Sequence, residues 1–203
     1  MIIKQLKLIL ILFITISFAQ AQSILVVGDS IGAGFGMNPK DGWVNLLDEK
    51  LKAEGYQYEM VNRSISGDTT TNGLRRLPKL LEQVKPEITI IELGGNDGLR
   101  ATPATKILEN LSAMIQLAQK ANSKVLLIGI QLPPNYGDAY LERFLAIYPE
   151  LGEKHQIAVL PSIVENVGGN NDLMQNDGIH PNKEAQPIIV ESVWEKIKPL
   201  LSH

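Results

Sequence analysis

"ILVVGDSIGAGFG", Ile24 to Gly36, decides how this chain is read. Four apolar residues, three of them β-branched, stop at Gly28. Asp29, Ser30 and three more glycines follow at once. A short apolar run that ends in a turn signal reads as a buried strand. Similar runs recur at regular distances: "SILVVG" (23–28), "YQYEMVN" (56–62), "EITIIELG" (87–94), "KVLLIGI" (124–130) and "IAVLP" (157–161). The third and fourth are almost wholly apolar, as strands covered on both faces must be.

Helical periodicity fills the intervals. Trp43, Leu46, Leu47 and Leu51 share a face over roughly 40–54. A second helix is expected over 70–84, with Pro78 a candidate bend or break. Ile107, Leu108, Leu111, Met114, Ile115 and Ala118 form a stripe over 103–121, and further helices are expected over 138–154 and 182–200. Strand-helix alternation repeated five times predicts an α/β fold, a parallel sheet with helices on both faces. In such sheets the working crevice lies beyond the carboxyl ends of the strands. The loops found there read "GDSIGAGFGMNP", "RSISGDTTTNG", "GGNDGLRATP", "QLPPNYGD" and the long "PSIVENVGGNNDLMQNDGIHP". A connection as long as the last, in a domain of this size, points to function.

The N-terminus stands apart. Lys4 and Lys7 precede the apolar Leu8–Phe18, and the small-x-small "AQA" of Ala19–Ala21 follows. This pattern predicts a secretory signal peptide over 1–21, with one domain over 22–203 and a periplasmic or secreted product. The apolar stretch is short for a membrane span; the alternative is an uncleaved anchor. The net charge of −3, with no basic cluster, gives no reason to expect a nucleic-acid partner. With no cysteine in the chain, disulfides, thiol nucleophiles and cysteine zinc sites are excluded.

Three readings compete for the opening loop. Gly32, Gly34 and Gly36 are spaced GxGxG rather than GxGxxG, and no Lys-Ser/Thr follows, which argues against a nucleotide cradle. "GDSIG" matches the GxSxG elbow, but no helix follows the strand directly. There remains Ser30 as a nucleophile, which needs a base. His203 is terminal, and His155 ends a helix, where a dipole-facing histidine is the plainer reading. His180 lies in "NDGIHP", three residues after Asp177. In a turn that spacing lets the carboxylate hold one ring nitrogen while the other faces outward. Acyl transfer also needs donors for a developing oxyanion. The Ser30 N–H, the Gly67 N–H of "SGD" (where no side chain blocks approach) and the Asn96 amide of "GGND" qualify. Singly, each could be a turn or cap residue.

Together, "GDS", the glycine of "SGDTT", the asparagine of "GGNDGLR" and "DGIHP" resemble the SGNH hydrolases, or GDSL esterases. "SGDTTTNGLRRLP", "LGGNDGLR" and "QLPPNYG" resemble the periplasmic thioesterase, lysophospholipase and arylesterase branch. The resemblance implies a three-layer α/β/α fold with a flavodoxin-like, five-stranded parallel sheet of order 2-1-3-4-5. It implies Ser30, Asp177 and His180 as a catalytic triad, Ser30, Gly67 and Asn96 as an oxyanion hole, and no metal or cofactor. The expected substrate is a small-molecule ester or thioester, with no stable membrane insertion after signal cleavage. A carbohydrate O-deacetylase of the same fold, or a non-catalytic lipid- or glycan-binding module, are the alternatives. The post-strand loops also carry Leu99, Leu132, Pro133, Leu173, Met174 and Ile179. These either pin the loops to the core or form an apolar acyl groove.

Overall fold

Five strands, β1 (Gln22–Gly28), β2 (Tyr58–Asn62), β3 (Ile88–Glu92), β4 (Lys124–Ile128) and β5 (Ala158–Leu160), pair in parallel in the order β2-β1-β3-β4-β5. The coordinates are a computed structural model that describes residues 22–202; the expected signal peptide, 1–21, lies outside the described residues, as does His203. The helices are α1 (Trp43–Ala53), α2 (Thr70–Val84), α3 (Gly95–Leu99), α4 (Ala104–Lys120), α5 (Asp138–His155) and α6 (Gln186–Ile197).

Successive strand residues point to opposite faces. Ile24, Val26, Ile88, Ile90, Leu126 and Ile128 therefore pack beneath α1 and α6. Leu25, Val27, Ile91, Val125 and Leu127 pack beneath α2, α4 and α5. Both faces are covered, so the strands read as continuous apolar runs rather than alternations. The magnitudes also settle Pro78. A mid-helix proline costs about 3 kcal/mol, while each buried leucine returns about 1.5–3 kcal/mol. Leu77 and Leu81 flank Pro78 and are both buried, and α2 runs unbroken through it.

Three expectations are corrected by tertiary contacts. The first helix does not begin near 40: a 3₁₀ turn (Pro39–Asp41) is followed by Gly42 in extended conformation, and α1 starts at Trp43. The Trp43 N–H, an orphan of the first turn, donates to Gln186 Oε1 at 3.0 Å. The last helix is likewise shorter, starting at Gln186 and passing into a 3₁₀ turn (Lys198–Leu200) at its end. "GGNDGLR" is not all loop. β3 stops at Glu92, Gly94 turns the chain at φ 118°, and α3 follows. Asp97 anchors this short helix, accepting from the Thr70 N–H (2.8 Å) and the Thr70 hydroxyl (2.7 Å) of α2.

The long connection from 161 to 185 is held from within. Ile163, Val164 and Val167 sink into the α1–α6 core. Met174 and Pro181 form an antiparallel bridge. The Gln175 N–H donates to His180 O (2.7 Å) and the Asn182 N–H to Leu173 O (2.9 Å). The segment is thus a narrow turn that carries Asp177 and His180 at its tip.

Candidate active site

The turn at 175–180 builds itself locally. Asp177 Oδ1 accepts the backbone N–H groups of Ile179 (2.9 Å) and His180 (3.0 Å). This Asx geometry brings Asp177 Oδ2 to 2.7 Å from His180 Nδ1. The tertiary fold then brings His180 Nε2 to 2.8 Å from Ser30 Oγ, across 150 residues of chain. Burial alone would raise the Asp177 carboxyl, but the His180 N–H, its ring and the Ile179 N–H together hold it down at about 2. Asp177 is therefore a carboxylate at any working pH. The arrangement can take a proton from Ser30 Oγ onto His180 Nε2 while Asp177 steadies the ring. His155 is elsewhere, its Nε2 2.7 Å from Ser112 Oγ on α4, and burial pushes its ionisation down.

The expected oxyanion donors come from three loops. Neither the Ser30 N–H nor the Gly67 N–H has an acceptor among the described residues. Asn96, in the first turn of α3, spends one amide hydrogen on Asp29 Oδ2 (3.1 Å), which leaves the other available. Gly67 is required for a different reason than crowding. A Cβ there would meet nothing within 4 Å, but the backbone sits at φ 81°, which side chains rarely adopt. The 63–69 loop is clamped from α2: Arg76 Nε and Nη2 reach Asp68 Oδ2 at 2.8 and 2.7 Å, and its Nη1 donates to Arg63 O at 2.6 Å. Asn110 of α4 completes the support, donating to Thr70 Oγ1 at 3.0 Å.

Beside this group opens a cavity of ≈ 300 Å³, whose lining includes Leu99, Ile130, Leu132, Pro133, Met174 and Ile179. Five of the six apolar loop residues expected around the site thus share one hollow. Leu173 does not. It packs against the α1–α6 core. Leu173 closes a turn, its N–H donating to Asn170 O at 2.9 Å, while Met174 enters the bridge to Pro181, and of the two only Met174 lines the cavity. Ile130, at the end of the fourth apolar run, takes a place on the wall that its strand-like context concealed. Tyr136 ties two of the lining loops together, its hydroxyl donating to Leu99 O at 2.8 Å.

Phe35, Gln175 and Glu92 at the site carry no motif-level meaning in the sequence, while Asp29 lies within "GDS". Phe35 lies tilted against the His180 ring, 4.7 Å between centroids and 41° between planes, and stays 49% exposed. Gln175 Nε2 donates to Phe35 O (2.8 Å) and Pro181 O (3.1 Å), stitching the serine loop to the histidine loop. Glu92 closes β3 beneath Ser30 and is buried, as is Asp29. The available signal for both was an acidic residue at the end of an otherwise apolar strand. Among the described residues no cluster of three or more His, Asp or Glu gathers to hold a metal, and no helix is long and apolar enough to cross a membrane.

The chain resembles known proteins along nearly its whole length. A model of the GDSL-like lipase/acylhydrolase family matches residues 26–187. Esterase TesA of Pseudomonas aeruginosa is 51% identical over 183 residues, covering 90% of this chain and 91% of that protein. Thioesterase 1/protease 1/lysophospholipase L1 of Escherichia coli strain K12 is 40% identical over 198 residues, 98% of this chain and 94% of its own. A crystal structure of TesA superposes with a TM-score of 0.87 at 51% identity, over 89% of this chain and 100% of that one. The sheet order, the four converging loops and these matches over nearly the whole chain place it in one family: the chain belongs to the GDSL-like lipases and acylhydrolases, the SGNH hydrolases.

Proposed function

We propose that the chain hydrolyses carboxylic esters or thioesters through an acyl-enzyme, with Ser30 as nucleophile, His180 as general base and acid, and Asp177 orienting the imidazole. The observation that supports this most is the unbroken chain from Ser30 Oγ to His180 Nε2 (2.8 Å) and from His180 Nδ1 to Asp177 Oδ2 (2.7 Å). Ser30 Oγ attacks the acyl carbon as its proton passes to His180 Nε2. The carbonyl oxygen, now an anion, is met by the Ser30 and Gly67 N–H groups and the Asn96 amide. Collapse breaks the bond to the alcohol or thiol, which leaves with the proton from His180. A water then gives its proton to His180 and its oxygen to the acyl carbon, Ser30 recovers its hydrogen, and the carboxylic acid departs.

Asn96 contributes where charge develops. Asn96→Ala lowers kcat roughly 10²–10³-fold, the usual effect of losing one such donor. KM moves little, because the donor meets charge present only in the transition state. Steady-state kinetics on one ester checks this, and a variant that mainly raises KM would assign Asn96 to ground-state binding.

The apolar hollow supports an acyl group as its occupant. Each methylene it buries is worth about 0.8 kcal/mol, so kcat/KM climbs from acetyl esters upward until the hollow is full. Leu99→Ala and Met174→Ala flatten the climb and leave acetyl ester hydrolysis intact. The test is a series of p-nitrophenyl esters from acetyl to dodecanoyl, with acyl-CoA, lysophospholipid and acetylated glycans alongside. A decline from the shortest chain onward favours a deacetylase. A wild-type chain that a fluorophosphonate fails to label at Ser30 favours a binding module. Export completes the reading, supported by the Lys4/Lys7 and Leu8–Phe18 pattern. An exported protein that begins at Gln22 checks it.

A further inference from the structure

Register pairs Gly28 of β1 with Glu92 of β3. The Glu92 side chain folds beneath the serine turn, where a Cβ on Gly28 or Gly32 would collide with its Oε2. That oxygen accepts the N–H of Asp29 (3.2 Å) and of Gly32 (3.1 Å), which bracket Ser30. Asp29 works from the other side: its Oδ1 accepts the Ile31 N–H (3.1 Å) and its Oδ2 the Asn96 amide (3.1 Å). The two carboxyl groups lie within hydrogen-bonding reach of each other. Backbone and amide around the reacting atom are therefore tied to one buried acidic pair.

We propose that Glu92 is a positioning residue for the oxyanion donors: acting through Asp29 and the backbone on either side of Ser30, it sets where the Ser30 N–H and the Asn96 amide point. The inference rests on the ester-hydrolase reading.

The pair is stable only if it retains a proton, because two bare carboxylates in a dry site repel. The nearby charges do not remove this need. Arg76 of α2 approaches Gly28 O at 3.5 Å but is committed to Asp68. His180 favours the charged form of Asp29 less than burial opposes it. Asp97 of α3 and the Tyr148 phenol of α5 add no positive charge. Burial first, and the charge of Asp29 second, push Glu92 well above its ordinary value, and burial also raises Asp29. Protonated, Glu92 donates to Asp29 while accepting two N–H groups. Ionised at alkaline pH, it can only accept, and it repels the carboxylate that orients Asn96.

The experiment compares Glu92→Gln and Glu92→Leu with wild type, normalising kcat to sites titrated by a fluorophosphonate. Glu92→Gln keeps a donor and an acceptor but cannot ionise. Its kcat at neutral pH stays within about threefold of wild type, and the alkaline fall in kcat disappears. Glu92→Leu loses both bonds, and kcat per titrated site falls on the order of 10²-fold with KM nearly unchanged, the scale of a small misplacement at the reacting centre. A merely structural role would lower Tm and leave kcat per site and the pH profile alone. Infrared spectra supply a readout apart from turnover and cover the case in which Glu92→Leu does not fold: wild type at neutral pH shows a protonated-carboxyl band that Glu92→Gln lacks. An unchanged band or an unchanged alkaline limb in Glu92→Gln overturns the inference, as does wild-type kcat per site in Glu92→Leu. An inactive, unlabelled wild type overturns the ester-hydrolase reading itself.

Discussion

Ser30→Ala lowers kcat on the order of 10⁶-fold and leaves the fold intact, since a serine, histidine and carboxylate acting as a unit lose nearly all their effect when the serine goes. Among the described residues the hydroxyl's one side-chain partner is His180 Nε2 at 2.8 Å, on a partly exposed face where water can take its place. No buried group is stranded by the change, so stability moves within about 0.5 kcal/mol. Thermal unfolding should match wild type while turnover falls to background and fluorophosphonate labelling vanishes. Near-normal turnover by the folded variant would remove Ser30 from the mechanism.

Asp177→Asn lowers kcat about 10⁴-fold, because the substitution selects the wrong tautomer. The carboxylate accepts the Nδ1 proton at 2.7 Å, which leaves Nε2 free to receive the serine proton. An asparagine can present its NH₂ to Nδ1 instead. The ring proton then sits on Nε2, facing Ser30, and the base is disabled with its geometry unchanged.

The pH dependence separates the two partners. Asp177 is held from its ordinary 3.8 down to about 2, so it stays ionised throughout the working range. The acid fall in kcat/KM therefore does not come from protonation of Asp177. The stability that its hydrogen bonds lend Asp177 is present above the unfolded carboxylate value and fades only as pH drops toward 2. His155→Ala leaves the acid limb where it was, since His155 is bonded to Ser112 on another face. If that variant abolishes the limb, the base is His155.

Local codes and long-range packing divided the work between them. The apolar runs, their turn residues and the helical stripes act over a few residues each. They are enough to determine five strands in parallel, the extent of α2 over 70–84, and the Asp177–His180 turn that assembles from three consecutive peptide units. The sequence by itself also marks Ser30, Gly67 and Asn96, because each ends or follows an apolar run where a parallel sheet places its chemistry. What it could not determine depends on partners far along the chain. α3 forms because Asp97 finds Thr70, 27 residues away. Leu173 and Met174 divide between core and cavity according to the bridge to Pro181. Glu92 meets Asp29 across 63 residues only because β3 pairs with β1 in one register. Strand register and helix docking are set by the summed burial of two cores rather than by any local pattern. Tertiary structure alone therefore decides which buried acid lies beneath the serine, and which aromatic ring lies against the histidine.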